Sequence, residues 1–338
     1  MKNVVENLEI KNFKSIKELK LDCKQINLFI GEPNVGKSNI LEAIALLGGG
    51  YSTDTNKFFS DFIRYQELSN LFYDDDISQG IQVKAGKFSA RLTAQPNNNL
   101  INYSIIDSRA ESQVQIQSLD HNNCLLHSTG LIAGNNIVNT LTPFKKYDFK
   151  GLLNISDKTS SFLLPPDGRN LFTILDHNKE LKKEIGGIFK KYGLQMLLSK
   201  KDSIIELQKV AEDYSYKYPF ANMADTYKRL IFYLCALDSN KDSVLILEEP
   251  EVHSFPPYTK WLADIIAIDD SNQYFIATHS PYLLTTLIEE VPFEKLNVFI
   301  TYFEDYETKL RALTLEELNE ITEHHYDIFF NLDKFIGK

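Results

Sequence analysis

The chain has 338 residues, 43% of them hydrophobic, and its 46 acidic residues against 36 basic ones give a net charge of −10. That length and apolar content can fill a large core in one elaborated domain or two coupled lobes, while the acidic balance argues against non-specific nucleic-acid binding. Three scattered cysteines, Cys23, Cys124 and Cys235, fit neither a disulfide framework nor a zinc cluster, and with no leader-like N-terminus and no run of eighteen apolar residues, a cytoplasmic protein without membrane passage is expected.

In chain order, Leu8 to Ile16 reads as a strand and turn, and Ile26-Asn27-Leu28-Phe29-Ile30 as a buried strand. The segment Gly31-Glu32-Pro33-Asn34-Val35-Gly36-Lys37-Ser38 follows, before a helix from about Asn39. This is the pattern G-x-x-x-x-G-K-[ST] between strand and helix, the context of a phosphate-binding loop. Backbone N–H groups and the helix N-terminus present converging positive partial charge to a polyphosphate. Gly31 permits the tight turn, and Gly36 lets the backbone approach the phosphates. Lys37 is expected to reach the β- and γ-phosphates and the Ser38 hydroxyl to ligate Mg²⁺; Asn34, Val35 and Asn39 complete the expected nucleotide-binding set.

Residues 81–142 alternate apolar and polar positions, with turn clusters at Gln95-Pro96-Asn97-Asn98-Asn99 and His121-Asn122-Asn123, so antiparallel strands in a β-rich subdomain are expected. A proline-rich bend at Leu164-Pro165-Pro166-Asp167-Gly168 precedes helical stretches to about Lys191. Lys11, Lys14, Lys17 and Lys20, and the lysines between Lys179 and Lys201, read as solvated surface. A long helix starts near residues 221–226 and runs through Leu237.

Ser243-Val244-Leu245-Ile246-Leu247 then reads as a buried parallel strand ending in Glu248-Glu249-Pro250-Glu251. Ligands of open α/β sheets bind outside the carboxyl ends of the strands, so this acidic tip can face the phosphate loop. Glu248 suits the metal side, and Glu249 suits the attacking water. After a helical stretch at 258–268, the strand Gln273-Tyr274-Phe275-Ile276-Ala277 ends in Thr278-His279-Ser280, which puts His279 at another strand tip, in reach of a γ-phosphate. Val298 to Ile300 is a further strand, and 313–323 an acidic helix.

These segments together resemble the ABC-type ATPase heads of the SMC, RecF and OLD superfamily. The resemblance implies an α/β P-loop NTPase head with a mixed or parallel sheet, an attached β-rich subdomain and a helical lid insertion. It further implies one composite ATPase domain, read along the chain as lobe 1–160 and lobe 161–338. By that likeness Glu249 is the catalytic glutamate, Glu248 the metal-side carboxylate in place of the usual Asp, and His279 the switch histidine. Phe13 or Lys14 would contact adenine, and Gln66 would be the metal-side glutamine. Where such heads carry a Ser-Gly-Gly-like signature that closes over the partner's nucleotide, this chain offers Asn222, Ala224 and Asp225, with Asn222 a candidate helix cap.

The cofactors implied are ATP and Mg²⁺. The chain lacks heptads for coiled-coil arms, and too few residues follow His279 for a TOPRIM nuclease domain. The expected function is an ATP-hydrolysing switch, a homodimer or higher oligomer coupled to a separate effector in bacterial antiphage defence or a toxin–antitoxin-like system. The competing expectation is a RecF-like DNA-binding ATPase, which the net charge does not favour.

Overall fold

The computed structural model describes residues 5–95, 98–109, 122–138, 140–151, 160–210, 214–323 and 327–336. The chain divides into two compact units. One contains Met1–Lys146, Asp242–Glu249 and Asp270–Lys338, and the other contains Tyr147–Lys241 and Pro250–Asp269. The lobes expected on either side of residue 160 are continuous stretches, whereas these units are interleaved, and the first holds the phosphate loop, the acidic strand tip and His279 together.

In the first unit, β1 (Asn7–Phe13), β2 (Ile16–Asp22) and β3 (Ile26–Ile30) lead into the loop and α1 (Lys37–Ala45). Next come β4 (Ile81–Ala85), β5 (Phe88–Ala94), β6 (Ile101–Asp107), β7 (Asn123–Leu126) and β8 (Ile132–Ala133), the antiparallel strands that period-two patterning predicts. They form one seven-stranded sheet with the opening hairpin, in the order β2-β1-β4-β5-β6-β7-β8. Pro96, Asn97 and His121 of the expected turns lie outside the described residues. On the hairpin the lysines alternate with carboxylates, Lys11 lying 3.2 Å from Glu18 and Lys20 3.8 Å from Glu9.

The second sheet of this unit carries the site. After β9 (Phe144–Tyr147), the chain passes through the second unit: α2 (Leu171–His177), α3 (Lys179–Lys190), β10 (Gln195–Ser199), β11 (Ile204–Val210), β12 (Ser215–Pro219) and α4 (Asp225–Ser239). Then β13 (Val244–Glu248), α5 (Pro256–Ile268), β14 (Gln273–Ala277), α6 (Pro281–Glu290), β15 (Leu296–Glu304), β16 (Glu307–Ala312), α7 (Leu315–Glu323) and α8 (Leu332–Ile336) complete the chain. The sheet order is β16-β15-β3-β14-β13-β9. Its four middle strands are parallel, and β3 and β14 are buried along their whole length, as strands covered on both faces must be.

Register levels the strand tips. Glu248 is opposite Ala277, and Ala277 is opposite Phe29, one residue before the end of β3. Two backbone bonds fasten the exits: Glu249 N–H to the Ala277 carbonyl at 2.9 Å, and Thr278 N–H to the Phe29 carbonyl at 3.2 Å. Three segments far apart in sequence therefore leave the sheet side by side.

Helices α3, α4, α5 and α7 fall where periodicity predicts them. Two features differ from expectation. The lid region is not purely helical, since β10, β11 and β12 form a three-stranded antiparallel sheet. All five residues of β12 are exposed and every residue of β10 is at least partly so, which leaves little alternation to read. Strand β16 is likewise outside the expected elements, although its charged Glu307, Lys309 and Arg311 alternate with Thr308, Leu310 and Ala312.

Candidate functional site

The phosphate loop takes a conformation that only its glycines allow. Gly31 has φ 146° and Gly36 φ 104°. A Cβ on Gly31 would run into the Thr301 carbonyl, and one on Gly36 into the Thr308 side chain. Lys37 is buried and its Nζ donates to the carbonyls of Gly31 at 2.9 Å and Glu32 at 2.6 Å, which curls the loop around its own ammonium. Burial draws the Lys37 pKa down to about 8, against the opposing pull of Glu249, Glu248 and Glu32.

Thr308, buried on β16, holds the loop in this shape. Its hydroxyl donates to the Val35 carbonyl at 2.9 Å and lies 2.6 Å from Ser15 Oγ, which accepts from Asn39 Nδ2 at 2.7 Å. Two predicted binding residues, Val35 and Asn39, thus join this network, and Asn34 occupies the loop with φ 64°.

Glu248, at the tip of β13, accepts a hydrogen bond from the Ser38 hydroxyl and lies between two cations. Lys146 Nζ is 2.9 Å from one carboxylate oxygen, and the Arg64 guanidinium is 3.0 Å from the other. Burial alone would raise its pKa, but Lys146, Ser38 and Arg64 hold it down at about 2. Arg64 reaches further, placing Nε 2.8 Å from Glu42, a fully buried carboxylate of α1 whose other oxygen is paired with Lys14. Lys14 also donates to the Arg64 carbonyl at 2.7 Å. Sequence reading did not find Glu42, Arg64, Lys146 or Thr308. Glu42 left one clue, a carboxylate among the apolar residues of α1, which implies a buried cation partner.

Glu249 and His279 meet at the same tips, His279 Nε2 lying 3.6 Å from Glu249 Oε1. Glu249 has φ 44°, a left-handed conformation unusual for a side chain of its size. Burial, then the Lys37 charge, lower the His279 pKa, with Glu249 pulling the other way. The imidazole is therefore mainly neutral at pH 7 and can donate from one nitrogen while accepting at the other.

Other sequence candidates stand elsewhere. Phe13 is fully buried in the core and has no ring face to offer adenine, and Lys14 is committed to Glu42. Gln66 is exposed and its backbone N–H bonds Asn70, while Arg64 is the residue of that segment that touches Glu248. Asn222, Ala224 and Asp225 belong to the second unit. Ala224, rather than Asn222, is the N-cap of α4, and Asp225 pairs with Lys228 at 2.7 Å. For Mg²⁺, the Ser38 hydroxyl and the Glu248 carboxylate present oxygen donors, which is the hard-ligand chemistry that ion takes.

The geometry has clear parallels among known proteins. A family model described as the AAA ATPase domain matches residues 1–234. The chain belongs to this family. An ATP/GTP phosphatase of Helicobacter pylori is 23% identical over 84% of this chain and 87% of its own. The DNA replication and repair protein RecF of Caldanaerobacter subterraneus is 33% identical over a quarter of each chain. In three dimensions, an SMC head bound to the C-winged-helix domain of ScpA superposes with TM-score 0.51 at 16% identity, covering 93% of this chain and 99% of that one. A second SMC head, bound to the C-terminal domain of ScpA and derived from Pyrococcus furiosus, gives 0.51 at 15% identity, covering 95% and 99%. The fold is thus that of an SMC-type head, and the chain is an ATPase of the AAA family. No helix among the described residues is long and apolar enough to cross a membrane.

Proposed function

We propose that this chain binds one Mg·ATP in its first unit and hydrolyses it, serving as a cytoplasmic nucleotide switch. In this reading it assembles as a homodimer or higher oligomer and couples its ATP state to a separate effector, in bacterial antiphage defence or a toxin–antitoxin-like system. The observation that carries the reading is the meeting of Lys37, Ser38, Glu248, Glu249 and His279 at the level tips of three adjacent parallel strands. Partner binding draws support from the two SMC heads, each solved with a domain of ScpA bound.

In this mechanism the Lys37 ammonium exchanges its two loop carbonyls for phosphate oxygens. Ser38 and Glu248 would hold Mg²⁺, which would neutralise charge on the phosphate oxygens. Glu249 accepts a proton from the attacking water, and neutral His279 donates its one N–H to the γ-phosphate. Glu249→Gln tests the assignment. Removing the base should cut single-turnover hydrolysis by about 10²- to 10⁴-fold and leave ATP affinity near that of the wild type. Equal rates for the two proteins would take the water-activating role away from this carboxylate.

A second reading, a RecF-like DNA-binding ATPase, draws on the RecF similarity over a quarter of the chain. DNA-stimulated turnover together with a steep loss of DNA affinity between two salt concentrations would favour it over the switch.

A further inference from the structure

Lys146 is the last residue of the first unit before the chain enters the second, and it stands on the metal side of the site. Its side chain is only 5% exposed, and its Nζ has two acceptors, Glu248 Oε2 at 2.9 Å and the Phe62 carbonyl at 3.0 Å. Arg64, by contrast, is 70% exposed and divides its guanidinium between two carboxylates, Glu42 and Glu248. The exposed arginine can let go of Glu248 and keep Glu42. The buried ammonium cannot leave without orphaning the Phe62 carbonyl and its own charge.

A residue that ligates a metal brings a lone pair to it, and an ammonium has none. We propose that Lys146 is a resident cation of the nucleotide site, a positioning residue that acts through Glu248: it offsets that carboxylate's charge, so that the triphosphate binds with less help from a divalent ion. The inference rests on the nucleotide-site reading above. Lys146 has two opposite effects in this role. Its charge favours a metal-free polyphosphate, and by neutralising Glu248 it weakens the attraction of the site for Mg²⁺.

The test is a titration of the full chain with a fluorescent ATP analogue, first in EDTA and then with rising Mg²⁺. Lys146→Met should weaken metal-free binding on the order of tenfold and lower the Mg²⁺ concentration needed for half-saturation, and Lys146→Arg should restore the wild-type values. Should the Met variant fail to fold, Lys146→Gln carries the same test, because its amide can still donate to the Phe62 carbonyl and Glu248. A purely structural lesion would weaken both quantities together. That parallel loss, or no change in either, overturns the proposal, while a wild-type chain that binds no nucleotide at all overturns the nucleotide-site reading instead.

Discussion

Thr308→Val removes one hydroxyl and keeps the shape of the side chain, so it isolates the bond that ties β16 to the phosphate loop. In the structure that hydroxyl donates to the Val35 carbonyl at 2.9 Å in a buried setting, and it lies 2.6 Å from half-buried Ser15 Oγ. The lost hydrogen bond is worth about 1 kcal/mol net, and a buried acceptor left without a donor adds about 1 kcal/mol or more. If that cost of roughly 2 kcal/mol falls on the loop's binding-ready shape, ATP affinity drops about 30-fold. Fluorescent-nucleotide titration measures the affinity, urea unfolding measures the stability, and Thr308→Ser should keep most of both. A Val variant with wild-type affinity and wild-type stability would refute the claim that this hydroxyl shapes the loop.

Other consequences concern charge. Because burial lowers the Lys37 pKa from 10.5 to about 8, the empty site loses its ammonium as pH rises through about 8. A bound polyphosphate favours the charged form, so ATP binding at about pH 8.5 should take up a proton and weaken with rising pH, and calorimetry in two buffers of different ionisation enthalpy would detect it. The same shift has a stability sign: the unfolded chain holds more protons than the folded one between about pH 8 and pH 10.5, so this group's contribution to stability rises with pH across that window. Glu42→Ala would leave the Lys14 ammonium, 15% exposed, without its carboxylate, at a cost of about 3 kcal/mol in denaturant unfolding. The Arg64 partner is too exposed to add much, and a loss below about 1 kcal/mol would show that Glu42 is no keystone of the network.

The sequence by itself determined the phosphate loop, the strands that feed the acidic tip and His279, and most helices. It could do so because each is a local pattern: glycines at fixed spacing, apolar runs buried on both faces, and periodic helix stripes. Only the tertiary structure decided what surrounds those motifs. Register between β3, β14 and β13 levels the tips, and no local pattern encodes register between segments so far apart in the chain. The Thr308 hydroxyl reaches Val35 across 273 positions of the chain, which no local pattern shows, and Lys146 and Arg64 look like surface cations until folding places Glu248 between them. Phe13 failed as an adenine contact for the converse reason, since burial against distant strands, invisible in a short local motif, took its ring out of reach.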